Sequence, residues 1–170
     1  LISYKKLYQK DTILISAADE NYYKYLTQLL TNLNQFNFFS KIIIYDLGMS
    51  EEQVIFLEKN FKIEVRDFKF SKYPNFLQSR NVEHDNKLGS YAWKAVIIKE
   101  VATEFNKQVF WFDSANKIKV NFVLAKIALT NLGVFSTYSV GRITDWTYSS
   151  VISDLKVNKK IAKKPNLNGA

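Results

Sequence analysis

The feature that most constrains the fold is an unbroken apolar run that ends on an acid. Val109, Phe110, Trp111 and Phe112 stand directly before Asp113, and small and amide residues follow. A run of large apolar residues without a helical or two-residue period is typical of a short strand buried on both faces of a parallel sheet. The run therefore predicts a central parallel strand with Asp113 at its carboxyl end.

A carboxylate at this position has two interpretations. Ligands bind at the carboxyl edge of open α/β sheets, because the loops diverge there and leave a crevice. Asp113 could hold a divalent cation there, and the cation could hold a diphosphate. Alternatively, Asp113 only caps the following turn, since Asp and Ser bond readily to nearby backbone amides. This stretch by itself favours the cap, so the rest of the chain has to decide.

The elements around this strand alternate between strand and helix. Compact apolar runs predict the strands, and apolar residues three and four apart predict the helices. Ser50 and Gln53 have the spacing of a capping box at a helix start. A bulge or break is expected near Arg66–Asp67, where the apolar side chains change parity. Strands are predicted at residues 12–16, 41–45, 63–70 and 109–112, and helices at 22–33, 50–60, 91–105 and 121–132.

This order predicts an α/β fold with an open, mostly parallel sheet and crossover helices. Residues 133–140 are strand-like, and a short helix is expected after Trp146. Residues 71–89 read as a long surface loop that carries the sole histidine, His84, which is interpreted as a surface residue rather than a metal ligand. With 170 residues, the chain is expected to form one domain over 1–170.

Charge and cysteine content narrow the function classes. The formal net charge is +8, and much of the excess lies in a lysine run at residues 156–164, within a predicted basic tail or loop at 156–170. Such a run is usually solvated and only sometimes contacts a polyanion or membrane surface. Cysteine is absent, which excludes disulfides and thiolate metal sites. No apolar run reaches the length of a membrane span.

Three stretches resemble the A-fold (GT-A) glycosyltransferases of the glycogenin and galactosyltransferase-like type. Residues 16–22, Ser-Ala-Ala-Asp-Glu-Asn-Tyr, look like their first strand and helix start, and residues 43–50 are similar to their second strand and turn. Tyr-Ala-Trp-Lys at 91–94, one helix ahead of the run that ends on Asp113, resembles an uncharacterised eukaryotic branch with YAWK and W-x-D-S stretches. The resemblance spans residues 12 to about 155.

The resemblance implies a nucleotide-sugar pocket and transfer of a sugar from a nucleoside diphosphate donor, UDP-linked, to a glycan, protein or lipid acceptor. Lys94 would lie near the diphosphate or the ribose. Asp113 matches the first acid of the DXD motif, which ligates manganese or magnesium. Both would help the diphosphate to depart, so both are candidate catalytic residues. The base and ribose side would be lined by Ala17, Ala18, Asp19, Asn21 and Tyr22.

The chain also departs from that pattern. Ala115 stands where the second acid of DXD belongs, and Asn116, one place later, offers a neutral oxygen as the second candidate metal ligand. No histidine follows Asp113, although many relatives supply one. Residues 168–170 resemble the start of the family's next conserved loop, so we expect the chain to be truncated at its C-terminal end. Metal and donor binding are expected to be weak.

Two alternatives stay open. The same fold could bind a nucleotide sugar without turnover, which the missing second acid favours. A polyanion-binding role through the basic tail and exposed aromatics ranks lower, because the lysines cluster apart from the aromatic residues. No nucleic-acid partner is therefore expected. The resemblance implies the secretory-pathway lumen for a eukaryotic chain and the cytoplasm for a bacterial or viral one.

Overall fold

The computed structural model describes residues 12–35, 39–79, 89–118, 123–133, 135–136, 138–147 and 149–167. The chain divides into two compact units, Leu1–Phe122 and Val123–Ala170. Among the described residues, the first unit holds a four-stranded sheet and the second a two-stranded one. A single domain over residues 1–170 stays a prediction.

The first unit is an α/β fold with a parallel sheet, as predicted. The described strands are β1 (Thr12–Ala18), β2 (Lys41–Asp46), β3 (Glu64–Asp67) and β4 (Gln108–Trp111). Every pair of neighbours is parallel, and the order across the sheet is β3-β2-β1-β4. The interior strand β1 is buried along its whole length, and Ile13, Leu14 and Ile15 are at most 1% exposed.

The position of β4 corrects one expectation. The apolar run before Asp113 predicted a central strand, but β4 lies at the edge of the four-stranded sheet in the part of the chain that the structure describes, so that prediction is wrong. β1 and β2 are the interior strands of the described sheet. Phe110 is buried, whereas Val109 and Trp111 are only partly buried. Aromatic side chains that pack on helices or neighbouring loops give the same apolar run as a strand covered on both faces, so the pattern could not separate the two.

Three helices of the first unit connect these strands: α1 (Tyr23–Leu33), α2 (Glu51–Asn60) and α3 (Trp93–Phe105). The predicted capping box begins α2. The Ser50 hydroxyl accepts from the Gln53 N–H at 3.3 Å, and the Ser50 N–H donates to Gln53 Oε1 at 3.1 Å. The buried face of α1 is a leucine stripe, whose members follow the spacing of three and four residues that predicted the helix: Leu26, Leu29, Leu30 and Leu33.

The direction of the crossovers places α3 on the opposite face of the sheet from α1 and α2. The chain moves from β1 to β2 to β3 in one direction and then returns past β1 to β4, and right-handed crossovers put the helices of opposite moves on opposite faces. The core agrees, since alternate side chains of β1 pack with one stripe of α3. That cluster joins Ile13, Ile15 and Ala17 to Trp93, Ile97 and Val101.

β3 ends in a break at Asp67, one of the two alternatives expected near Arg66–Asp67. The register runs without a shift from Glu64 to Asp67, so the strand is shorter than the predicted one over 63–70. Phe68 turns into the core, where its ring stacks on Tyr73 with centroids 4.9 Å apart. In the described parts of the connection from β3 to α3, short 3-10 helices follow at Phe70–Lys72, Asn75–Leu77 and Gly89–Tyr91. His84 lies outside the described residues.

The second unit contains helices and an antiparallel pair of strands. The lysine run at 156–164, predicted as a loop or tail, contains α7, in which Ala162 is buried while Lys160 is exposed. The elements are α4 (Val123–Leu132), β5 (Tyr138–Arg142), α5 (Ile143–Trp146), α6 (Ser149–Asp154), α7 (Lys159–Ala162) and β6 (Pro165–Leu167). Within the described parts of the chain, none of the helices combines the length and apolarity needed to cross a membrane.

Candidate functional site

The carboxyl ends of β1 and β4 lie side by side. Ile15 pairs with Trp111 in the parallel ladder, and the Phe112 N–H donates to the Ile15 carbonyl at 3.0 Å. The same register places Asp113 level with Ala17, because each lies two residues beyond that pair. The segment that resembles a donor pocket and the candidate acid therefore leave neighbouring strands at one edge of the sheet, where α/β folds bind ligands.

The Asp113 carboxylate is held by side chains rather than by its own turn. Its Oδ1 accepts from Lys94 Nζ at 2.7 Å and from Trp111 Nε1 at 2.9 Å. The Asn116 N–H closes the turn on the backbone carbonyl of Asp113 at 2.9 Å, not on the carboxylate. The capping interpretation is thus wrong for this side chain, whose partners among the described residues lie on β4 and α3.

Lys94 lies in the first turn of α3 and is largely buried. Its side chain is 14% exposed, and its ammonium lies 4.8 Å from the centre of the Tyr91 ring and 5.7 Å from that of Trp111. Lys94 is therefore not an ordinary exposed helical lysine. A cation at a helix N-terminus costs about 0.3–1 kcal/mol. The charged hydrogen bond to Asp113 offsets this cost by about 1.5–3 kcal/mol. The two aromatic rings beside the ammonium contribute about 0.5–1 kcal/mol more.

The segment after β1 offers both buried and accessible candidates. Ala17 and Ala18 are 6% and 2% exposed, and the Ala18 carbonyl accepts from the Leu47 N–H. Asp19 begins the turn into α1, with its Oδ1 accepting from the Tyr22 N–H at 3.0 Å. Asn21 is exposed, and the Tyr22 ring is 38% exposed. Of the five residues predicted to line the base and ribose side, Asp19, Asn21 and Tyr22 have side chains that a ligand can reach.

Comparison with known proteins places this chain in a family without an assigned function. The model of the family described as "Protein of unknown function (DUF1647)" matches residues 2–99, more than half of the chain. The chain belongs to this family. The match includes residues 17–22 and Lys94 but ends before Asp113. No curated protein matches the chain.

A solved structure matches the fold. It is the galactosyltransferase LgtC, crystallised in complex with donor and acceptor sugar analogs. The two chains share 14% sequence identity with a TM-score of 0.50, and the match covers 92% of this chain and 55% of the galactosyltransferase. This chain therefore spans about half the length of that enzyme. At this identity, the match supports the α/β glycosyltransferase-like fold that the sequence predicted.

The two candidate metal ligands do not fit a metal site. The Asp113 carboxylate is bound to Lys94 of α3. Asn116 instead lines a cavity with side chains of α1, the helix on the opposite face of the sheet from α3. Ala115 offers no ligand atom. Among the described residues, no group of three or more His, Asp or Glu side chains could hold a metal ion. Manganese and magnesium stay untested predictions that these side chains do not support.

The cavity beside α1 was not predicted from the sequence. It has a volume of about 370 Å³ and lies between α1 and the loop after β4. Asn32 ties the two together, because its Oδ1 accepts from the Ile118 N–H at 2.9 Å. The available signal was a polar stripe opposite the leucines, formed by Gln28, Thr31 and Asn32 on α1 and by Gln35 just after it.

A second group of charges lies toward the other end of α3. Arg66 donates to both carboxylate oxygens of Glu104, at 2.6 and 3.0 Å, and also contacts Glu64. Lys41 pairs with Glu64 as well. The Arg66 guanidinium lowers the pKa of Glu104, and Lys41 followed by Arg66 lowers the pKa of Glu64. Two cations and two carboxylates balance here, which is typical of a structural ion-pair network.

Proposed function

We propose that this chain is the donor-binding part of a glycosyltransferase, which moves a sugar from a nucleoside diphosphate sugar, UDP-linked, to an acceptor. One observation carries the proposal. The parallel pairing of β1 with β4 brings residues 17–22 and the Lys94–Asp113 pair to one edge of the sheet. A pocket that needs polar groups for a nucleoside and a cation for a diphosphate has both within reach there.

The fold neighbour supports the same assignment. LgtC was crystallised with donor and acceptor sugar analogs, so a related α/β framework accommodates both substrates in that protein. We infer that the present chain supplies the donor side, with Asp19, Asn21 and Tyr22 against the base and ribose. The acceptor, whether glycan, protein or lipid, has no assigned residue in this chain.

The chemistry proposed for Lys94 is stabilisation of the leaving group. In the transfer, the bond between the anomeric carbon and the diphosphate oxygen breaks, and its electron pair stays on the diphosphate. The acceptor hydroxyl oxygen forms the new bond and loses its proton to solvent. A fixed ammonium next to the leaving oxygen stabilises the charge that develops there. Asp113 keeps the ammonium in place.

A titration with matched variants tests the donor site. UDP-galactose and UDP-glucose are titrated by calorimetry into the wild-type chain, into Asp19→Asn and into Asp67→Asn. Asparagine at 19 keeps the oxygen that accepts from Tyr22, so the variant removes charge but not the turn. Asp67 is exposed at the end of β3 and is the control. We expect affinity to fall about tenfold in Asp19→Asn, or about 1.4 kcal/mol, and to stay constant in the control. Equal affinity in all three chains would contradict the proposed pocket.

A second candidate is a nucleotide-sugar-binding domain without turnover. It is favoured by Ala115 in place of the second acid and by the lack of a metal-binding group among the described side chains. Release of UDP from a bound UDP-sugar separates the two candidates. Steady release above the rate without protein supports transfer or hydrolysis, whereas saturable binding without release supports the second candidate.

A further inference from the structure

We propose that this site binds a diphosphate without a metal ion, and that the Lys94 ammonium takes the place of the divalent cation. The inference rests on the function proposed above. It departs from what the GT-A resemblance implies, because that resemblance assigns Asp113 to a metal.

The Asp113 carboxylate already has a cation beside it. Its Oδ1 accepts from Lys94 Nζ at 2.7 Å and from Trp111 Nε1 at 2.9 Å. A divalent cation on Oδ1 would have to displace both donors and would stand beside the largely buried ammonium. Like charges at this separation repel strongly where water is partly excluded. The carboxylate is thus already neutralised by the protein's own cation.

The end of β4 offers few side-chain ligands to a divalent cation. Magnesium and manganese sites on phosphates normally use carboxylates together with the phosphate oxygens. Here Asp113 is the single acid at the end of β4, Ala115 has no ligand atom, and Asn116 lines the cavity beside α1. A metal bound at Asp113 would therefore have to obtain its remaining ligands from the substrate and from water.

The Lys94 ammonium has more hydrogen-bond donors than the contact with Asp113 uses. An ammonium has three N–H donors, and among the described residues it has Asp113 as its acceptor. Its remaining donors can meet phosphate oxygens. Tyr91 and Trp111 flank the ammonium, and the Trp111 indole N–H fixes Asp113. This arrangement restricts the rotamers of a flexible side chain before the ligand binds. Lys94 is then the diphosphate-binding residue, and Asp113 is a positioning residue.

The experiment is a calorimetric titration of UDP, performed in EDTA and repeated with Mn²⁺, on the wild-type chain and on lysine variants. Lys94→Met keeps the length of the stem and removes the charge. Lys99→Met is the matched control, because Lys99 is an exposed lysine on the same helix. We expect the wild-type Kd to agree within about twofold between EDTA and Mn²⁺. We expect Lys94→Met to weaken binding at least tenfold in both conditions and Lys99→Met to change it less than twofold.

A folded double variant keeps the test informative if Lys94→Met alone fails to fold. Lys94→Met combined with Asp113→Asn leaves no unpaired charge, and the new amide oxygen can still accept from Trp111. Circular dichroism establishes that the variant is folded. It too is expected to lose UDP binding at least tenfold, with and without Mn²⁺.

The outcomes separate this inference from the proposed function. Binding of UDP by the wild-type chain only in Mn²⁺ overturns the inference and leaves the proposed donor site standing. Equal affinity of the wild-type chain and a folded Lys94 variant in EDTA also overturns the inference alone. If no UDP binds under either condition, both the inference and the proposed function fail.

Discussion

The loops after β2 and β4 share a sequence pattern, but their aspartate side chains have different hydrogen-bond partners. Each follows an apolar strand and carries an aspartate at its start. Asp46 Oδ1 accepts from the backbone N–H groups of Gly48 and Met49, at 2.8 and 2.6 Å, within its own loop. Asp113 Oδ1 accepts from Trp111 on β4 and from Lys94, nineteen residues away on α3.

The two loops differ in the hydrogen bonds that a ligand would have to replace in order to bind the aspartate. The Asp46 carboxylate is part of its turn, so a ligand that took it would also free two backbone donors. The Asp113 turn closes through its backbone carbonyl, which leaves the carboxylate and its lysine as a pair of side chains. A side-chain pair can shift toward a phosphate without opening the loop. We therefore assign Asp46 to structure and Asp113 to the candidate site.

The largest expected effect on stability is at Asp113. Asp113→Ala leaves the mostly buried Lys94 ammonium and the Trp111 N–H without their shared acceptor. Removing one partner of a charged, partly buried hydrogen bond costs about 1–3 kcal/mol of unfolding free energy. Urea unfolding followed by circular dichroism measures the loss. Asp67→Ala, at an exposed carboxylate, is the control and should change stability by less than about 0.5 kcal/mol. Equal, small changes in both variants would mean that the Lys94–Asp113 pair adds no stability.

Asp46→Ala should cost less, and its effect should be confined to stability. The alanine removes the acceptor of two backbone donors, as the loss of a helix cap does, at about 0.5–2 kcal/mol. Asp46→Asn retains an acceptor oxygen and should stay close to the wild-type unfolding free energy. If Asp46→Ala lowered UDP affinity as strongly as Lys94→Met, the division between a structural and a functional loop would be wrong.

Local features of the first unit were predictable because they depend on neighbouring residues. The leucine stripe of α1 and the Ser50–Gln53 capping box follow from spacings of three and four residues, and both are present. The alternation of strands and helices followed in the same way and gave the α/β class. The structural role of Asp46 is equally local, since its partners are two and three residues away.

Features that depend on distant residues were not predictable from these patterns. The strand order, which puts β4 at the edge of the described sheet, is set by the crossovers and not by the apolar run itself. The contact between Lys94 and Asp113 needs α3 to return along β4, so neither residue alone indicates it. The cavity beside α1 likewise joins a helix to a loop more than eighty positions later, through Asn32 and Ile118.

The smallest expected effect on stability is at the ion pair in the last turn of α3. Glu104, in the last turn, pairs with Arg66 as Lys94, in the first turn, pairs with Asp113. Both charges oppose the helix dipole, so each is favourable only through its partner. The Glu104 side chain is 48% exposed, however, against 14% for Lys94, and exposed pairs contribute about 0.2–1 kcal/mol. We expect Glu104→Gln to lower the unfolding free energy by less than about 1 kcal/mol and less than Asp113→Ala does.

The pH dependence gives this last effect a sign. Arg66 holds the pKa of Glu104 below its usual value of 4.5, so the unfolded chain takes up this proton first as the pH falls. The contribution of Glu104 is therefore complete above pH 4.5 and is lost as the pH falls through its lower folded-state pKa. Unfolding free energies measured from pH 7 downward should decrease less steeply below about pH 5 in Glu104→Gln than in the wild-type chain. Glu58→Gln, at an exposed glutamate of α2, should leave that slope unchanged. If the unfolding free energy of Glu104→Gln fell with pH as steeply as that of the wild-type chain, solvent would already screen the Glu104–Arg66 pair. Burial would then strengthen the ion pair in the first turn of α3, Lys94–Asp113, but not the pair in its last turn.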